Sequence, residues 1–411
     1  MTTSRLFAAD GPGLVEHLRE FGVLPESAGR SLATQLDDAK LTGRGGAGFP
    51  TGRKFASVTA SKAVVIGNGA EGEPLSYKDT QLLSRAPHLV LDGLNVAAAA
   101  VAADKVVLYI RSAAAPAVKT ALEERRKAKV DHRRVTVIDA PDTFVAGEES
   151  AVIRRVEGGP ALPRDRTVPP STSGVQGRPT LVSNVETFAH IALIARLGPQ
   201  WFRSVGDPSE PGTMLVTLTG GSASAVLEVP TGVGLADLIG HLGFTDGRTL
   251  RALLVGGYHG SWIPAAAAAG ARLSRAGLAH LGSSPGAGVI HAMFTDECGL
   301  ARTADMLGYL ADESARQCGP CLNGLPRLAR LFDDLAYGRV DDGLLEAVDR
   351  MIGTVEGRGS CRHPDGTARL ARSALVTFAT DISHHRHGRC EAALASMPDT
   401  VRPRLRTSGT A

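Results

Sequence analysis

The chain has 411 residues, of which 43% are apolar and 21% charged, the usage of ordinary globular domains. That length predicts two or three domains with ample core material and excludes a disordered or fibrous chain. With 45 basic residues against 42 acidic ones the net charge is +3, so no imbalance points to nucleic acid or a membrane surface.

The stretch from Met1 to Phe7 has no apolar run behind a basic one, which predicts no targeting segment. Apolar spacing predicts helices over 12–21 (Leu14, Val15, Leu18, Phe21) and 30–40 (Leu32, Leu36). A glycine-dense loop follows from Leu41 to Phe55, then a short buried strand over Ala63–Ile66. The most apolar stretch, Pro87–Ala103, contains His88, Asp92 and Asn95. It falls short of the ~20 apolar residues a bilayer requires, so a buried helix is expected. Strand Lys105–Ile110, helix Ala113–Lys129 and strand Arg134–Ile138 continue the alternation. Strands alternating with helices imply a parallel, doubly wound sheet. Ser150–Val156 and Asn184–Arg196 read as helices, and Pro160–Pro179 as a connector rich in Pro, Ser and Arg.

Near Pro208 the pattern changes. Strands over Met214–Thr219, Ala225–Val229 and Ala252–Val255 around a helix over Leu235–Leu242 predict a small α+β unit. Ala265–Ala287 is alanine-rich and reads as a linker, followed by a strand over Gly288–Phe294. From Arg302 to His385 the pattern is helix after helix, and Pro398–Ala411 reads as a frayed tail.

Five segments carry chemistry-bearing residues. Gly43 to Gly48 matches G-x-G-x-x-G, but the segment before it reads as a helix, so the dinucleotide motif lacks its preceding strand. Glycines beside Arg44 and Lys54 still suit a phosphate or flavin cradle, since backbone amides approach an anion closely where there is no Cβ. The alternative is a glycine-rich surface loop. Ile66 to Pro74 follows a strand, where ligands of parallel sheets bind. There Asn68 offers donor and acceptor to a flavin edge, while Glu71 and Glu73 can accept from ribose hydroxyls. The alternative is a solvated acidic turn. Gly147-Glu148-Glu149 opens a helix, and acidic residues at that position are also ordinary dipole partners. Asn184-Val-Glu-Thr187 opens another, with helix capping the default for Asn184.

The fifth segment is Cys318-Gly-Pro-Cys321, with Cys361 as a distant third thiol. Three thiolates are one short of the four usual for a [4Fe–4S] cube. His363 makes a Cys3His zinc site the alternative. Cys298 and Cys390 read as packing residues, and His384, His385 and His387 as a solvated helix end. Five cysteines, an odd number, argue against a secreted disulfide framework and for reduced thiols in the cytosol.

Taken in order, these segments resemble the NADH-binding flavoprotein subunit of NADH:quinone oxidoreductase (complex I) and the diaphorase subunits of NAD-linked hydrogenases. The resemblance is carried by Arg44–Lys54, Asn68–Pro74, Gly147–Glu149, Gly177–Thr187 and Glu313–Cys321. It implies an FMN- and NADH-binding α/β domain (1–207), a small SLBB-like β-grasp domain (208–264), a linker and return strand (265–295) and a helical iron–sulfur domain (296–397), before the tail (398–411). It implies that Arg44, Gly45, Gly46, Lys54, Asn68, Gly147, Asn184 and Thr187 hold FMN. Phe49 and Phe55 then sandwich the adenine of NADH, while Glu71, Glu73, Glu148, Glu149 and Arg166 serve the flavin and dinucleotide. It also implies a ferredoxin-like iron–sulfur subunit or a larger redox complex as partner, in the cytoplasm or peripheral to a membrane. The departures are Ala70 in place of an acidic residue, Phe144 of Tyr, Ser183 of Asn, and Ala315 of the first cluster cysteine. With only Cys318, Cys321 and Cys361 matching, the expected cluster is [4Fe–4S], [3Fe–4S] or absent.

Overall fold

A computed structural model describes residues 4–25, 29, 31–58, 62–131, 133–165, 168–241 and 248–395. Arg166, Leu242 and the tail from Pro398 lie outside them.

The first region starts with helices α1 (Leu14–Phe21), α2 (Leu32–Asp38) and α3 (Thr51–Ala56). Next come β1 (Val64–Gly69), α4 (Lys78–Arg85), α5 (Pro87–Ala100), β2 (Lys105–Arg111), α6 (Ala115–Ala128) and β3 (Val135–Ala140). It closes with α7 (Glu149–Val156), β4 (Thr180–Asn184) and α8 (Val185–Arg203). The four strands form one parallel sheet in the order β3-β2-β1-β4. Its continuous apolar strands follow from burial on both faces. Val65, Val106, Leu108 and Ile110 pack under α5 and α8, while Val64, Ile66, Val107 and Tyr109 pack under α7.

The polar residues of the apolar helix α5 have partners. Asp92 receives Arg125 at 2.7 Å, His17 at 2.7 Å and Arg196, so one buried carboxylate ties α1, α6 and α8 to α5.

The second region contains β5 (Thr213–Gly220), β6 (Ala223–Pro230), α9 (Leu235–His241), β7 (Leu250–Val255), β8 (Ser261–Pro264), α10 (Ala265–Ala268), α11 (Arg275–Ala279) and β9 (Val289–Phe294). Its sheet runs β6-β5-β9-β7-β8, with only β5 and β9 parallel. The alanine-rich stretch is not a linker. Ala268, Ala271, Leu273 and Leu278 are buried against β5, β7 and β9, because small side chains let these short helices lie close to the sheet.

The third region is helical: α12 (Gly299–Asp312), α13 (Leu325–Tyr337), α14 (Asp342–Val355), α15 (His363–Thr377), α16 (Ala379–Arg386) and α17 (Glu391–Ala395). It packs on the other face of the second sheet through Ala252, Leu254, Trp262 and Met293. Among the described residues, no helix is long and apolar enough to cross a membrane.

Candidate functional site

In the first sheet the chain moves from β1 outward to β2 and β3, then returns to place β4 on the other side of β1. The crevice beyond the carboxyl ends of β1 and β4 is therefore the switch point where open α/β sheets bind ligands. Asn68 and Asn184 face one another there as register partners.

Four loops meet at this edge. The Asn68 amide donates to Gly147 O at 2.9 Å, while its Oδ1 accepts from Ala70 N at 3.1 Å. The Asn184 amide donates to Asn68 O at 3.2 Å and to Asp79 at 2.6 Å, while its Oδ1 accepts from Glu186 N at 3.0 Å and so caps α8. Thr187 Oγ1 accepts from Arg44 N at 2.9 Å and anchors the glycine loop. Lys54 and Glu149 form a half-buried ion pair at 2.9 Å.

Backbone approach is close throughout. A Cβ on Gly147 would lie 2.8 Å from Ala70 O, and one on Gly45 would lie 3.3 Å from Asn184 Cβ. Gly46 and Gly48 sit at φ +102° and +62°, which L side chains rarely adopt.

A buried charge network lies beneath. Lys78 Nζ donates to Asp79 at 2.7 Å, Glu186 at 2.8 Å and Asn184 Oδ1 at 3.3 Å. Burial alone would raise Glu186, but Lys78, His190 and Arg44 hold it down at about 2. Burial raises Asp79 to about 6 against the pull of Lys78.

Several expected ligands are engaged in holding the fold. The Arg44 guanidinium is buried and turned toward the second region, donating to Thr213 O at 3.0 Å and Thr42 Oγ1 at 3.0 Å. It is thus not the cation that neutralises a phosphate at the glycine loop. Arg275 lies over that loop instead, donating to Gly46 O at 2.7 Å. Nothing in its alanine-rich sequence surroundings signalled this.

Glu71 is buried and accepts from Ser76, Asp79 and Thr80 at the start of α4, so both its oxygens are used. Glu148 accepts from the amides of Ser150 and Ala151 as the cap of α7. Phe55 is 3% exposed and packs in the core, which leaves no face open to sandwich an adenine. Phe49, 54% exposed, remains available.

The cysteine segment lies next to this edge. Phe144 N donates to Glu313 at 2.9 Å, and Gln317 donates to Pro163 O at 3.0 Å. Cys318 and Cys321 flank the start of a wide turn (Pro320–Gly324) that runs into α13, and Cys361 precedes α15. Burial pushes the Cys321 thiol up to about 12, and Cys318 and Cys361 add to it, which places the three sulfurs in one neighbourhood. Ser314 Oγ, beside Cys321, is buried with no hydrogen-bond partner of good geometry.

The Cys3His zinc alternative fails. His363 Nε2 donates to Leu310 O at 2.8 Å and its Nδ1 accepts from His259 at 3.1 Å, so neither nitrogen is free. Among the described residues, the one trio of ligand atoms mutually within 4.8 Å lies elsewhere. The three sulfurs are therefore not all within 4.8 Å of one another, whereas a single tetrahedral zinc holds its sulfurs roughly 3.7 Å apart.

Residues 36–193 match the Nuo51 FMN-binding domain, and residues 301–385 match the NADH-ubiquinone oxidoreductase-F iron-sulfur binding region. These two stretches match domains described for the F subunit of NADH-quinone oxidoreductase. It is 29% identical over 385 residues to the F 2 subunit of NADH-quinone oxidoreductase from Rhizobium meliloti, covering 86% of this chain and 89% of that protein. It is 29% identical over 368 residues to the NADP-reducing hydrogenase subunit HndC of Solidesulfovibrio fructosivorans, covering 84% and 74%. A chain of the H2-reduced NAD+-reducing [NiFe]-hydrogenase superposes with a TM-score of 0.79 at 29% identity over 87% of this chain, which spans 63% of that chain's length.

The substituted positions keep structural partners. Ala70 donates its amide to Asn68. Phe144 packs edge-on against His259 at 4.6 Å and Tyr309 at 6.2 Å, an apolar setting that needs no hydroxyl.

Glu73 gives a pH prediction. It is half-buried and accepts from Tyr258 N at 2.8 Å across to the second region. Burial raises its carboxyl to about 7, outweighing the Tyr258 and Leu75 amides that lower it. A carboxyl raised on folding contributes stability below its unfolded pKa, and that contribution is lost as pH climbs to 7. The urea midpoint should fall between pH 5 and 8 by the equivalent of about 2–3 kcal/mol at this one site. The Glu73→Gln variant should flatten that slope, and an unchanged slope would reject the assignment.

Proposed function

We propose that this chain is an NADH dehydrogenase-type flavoprotein subunit that oxidises NADH through FMN and passes single electrons to an iron–sulfur carrier. The observation that carries the reading is the meeting of the glycine loop with Asn68, Gly147 and Asn184 at the β1–β4 switch point. The residues fit FMN. Gly45 and Gly46 keep the glycine-loop backbone free of Cβ atoms beside Asn184, Lys54 and Arg275 bring positive charge to the loop while paired with Glu149 and Glu210, and Asn68 and Asn184 hold the neighbouring loops at the crevice. FMN supplies the hydride acceptor there and the passage from a two-electron donor to one-electron carriers. The protein's own task is positional. Gly45, Gly46, Asn68, Gly147, Asn184 and Thr187 shape the flavin cradle, and exposed Phe49 offers a stacking face for the adenine. Glu149, paired with Lys54 at the rim, can orient the dinucleotide.

Cys318, Cys321 and Cys361 hold the cluster in this reading, with the orphaned Ser314 hydroxyl as the oxygen donor in place of the cysteine missing at Ala315. The bond from Phe144 N to Glu313 ties the cluster segment to the loop that carries Gly147, so the two sites are neighbours. We further assign the five-stranded unit as an SLBB-like β-grasp domain, on its mixed sheet and the helix after its first hairpin. The natural partner is a small ferredoxin-like protein or a larger redox complex, at a cytoplasmic site.

The test is reduction of ferricyanide by NADH. Purified chain reconstituted with FMN should be active, and omission of FMN should abolish the activity. Persistent activity without flavin would overturn the proposal.

A further inference from the structure

The sequence leaves Cys298, His385 and Cys390 unconnected, yet the fold gathers them. Cys298 caps the start of α12, and His385 lies in the last turns of α16. Gly388, at φ +65°, turns the chain back so that Cys390 meets Cys298. One ligand atom from each residue lies within 4.8 Å of the other two. His385 Nε2 is 3.7 Å from the Cys298 sulfur.

Three features argue against chance packing. First, His385 Nδ1 donates to Leu335 O at 2.9 Å, which fixes the tautomer and leaves the Nε2 lone pair aimed at the thiols. Metal-bound histidines are held by that same outer bond. Second, the neighbouring histidines point elsewhere, His387 to Ser383 O at 2.9 Å and His384 to Glu391 at 3.2 Å. Third, both cysteines are partly buried, so the two thiols are not freely solvated surface groups. Both cysteines are free thiols.

We propose that Cys298, His385 and Cys390 bind a zinc ion, separate from the cluster cysteines, that clips the end of the chain onto the start of α12. Two sulfurs and one imidazole suit a borderline-soft divalent ion, and the fourth position falls to water or a partner's donor. The ion replaces two thiol protons and joins α12, α16 and, through the Leu335 carbonyl, α13.

Zinc-edge X-ray absorption on the full chain, isolated without air and loaded with FMN and iron, reads the site directly. The expected shell has two sulfurs and at least one imidazole nitrogen. A shell of three sulfurs would put zinc at Cys318, Cys321 and Cys361 and overturn the proposal. Zinc content should be one ion per chain. It should fall at least fivefold in Cys298→Ser/Cys390→Ser, with iron and flavin content unchanged. His385→Gln keeps both thiols and should lose zinc as well, which separates ligand loss from misfolding. Equal zinc in both variants and the parent, or zinc-free parent carrying a Cys298–Cys390 disulfide, would refute it.

Discussion

Replacing Lys78 with Met should destabilise the first region by about 3–5 kcal/mol, the cost of leaving a buried charge without its partner. The ammonium is 4% exposed and holds Asp79 and Glu186 at 2.7 and 2.8 Å. Glu186 is itself 1% exposed, with Arg44 as its remaining cation at 3.9 Å. Burial alone would lower Lys78, but the two carboxylates reverse that and raise it, so it stays charged in the fold. Without it, one carboxylate must take a proton or draw in water. Two further contacts then loosen. Glu186 accepts from Leu215 N at 2.8 Å, which holds the second region to the first, and Asn184 loses one of the donors to its Oδ1. The urea midpoint should fall and FMN should dissociate more readily. The double variant Lys78→Met/Glu186→Gln should regain part of the loss, because it removes the uncompensated charge. A loss below about 1 kcal/mol in Lys78→Met would show that the network is solvated and not structural.

Parts of this site could be read from the sequence because the signals were local. The apolar runs of β1 and β2 announce a sheet buried on both faces, and the loop after β1, expected where ligands of parallel sheets bind, does lie at its carboxyl edge. The expected cap at Asn184 is present, but the residue also ends β4, a five-residue strand that the polar Ser183 and Asn184 and the preceding proline-rich segment concealed. What escaped was long-range. Arg275 reaches the glycine loop across 229 positions, from a stretch whose alanines gave no pattern beyond low complexity. Spacing could suggest His363 as a ligand, but only the fold shows its two nitrogens occupied by Leu310 and His259. Glu71 and Glu148 look like ligands in a motif, yet a carboxylate at a helix start is as readily consumed by the helix's own amides.

Exchanging Ser314 for Ala should convert a four-iron centre into one of about three irons per chain, while Cys321→Ala should strip the cluster almost entirely. The difference follows from what each side chain does. Cys321 is 2% exposed in the turn that leads into α13, and its thiol is raised to about 12 by burial and by the adjacent sulfurs. It stays protonated unless a cation stabilises the thiolate, so cluster assembly must release protons there. Loss of that buried sulfur leaves Cys318 and Cys361 too few to retain iron. Ser314 is 8% exposed, and its hydroxyl has no hydrogen-bond partner of good geometry. Such an orphaned group costs free energy unless it is satisfied, and Ser314 would supply the fourth, oxygen ligand were a four-iron cluster held by Cys318, Cys321 and Cys361. Iron analysis with electron paramagnetic resonance separates the cases, and unchanged flavin content excludes general unfolding. Ala315→Cys should restore the fourth iron in the Ser314→Ala background, since the thiol then enters at the position where the family carries its first cluster cysteine. Four irons retained in Ser314→Ala alone would remove serine from the ligand set and assign the fourth position to solvent.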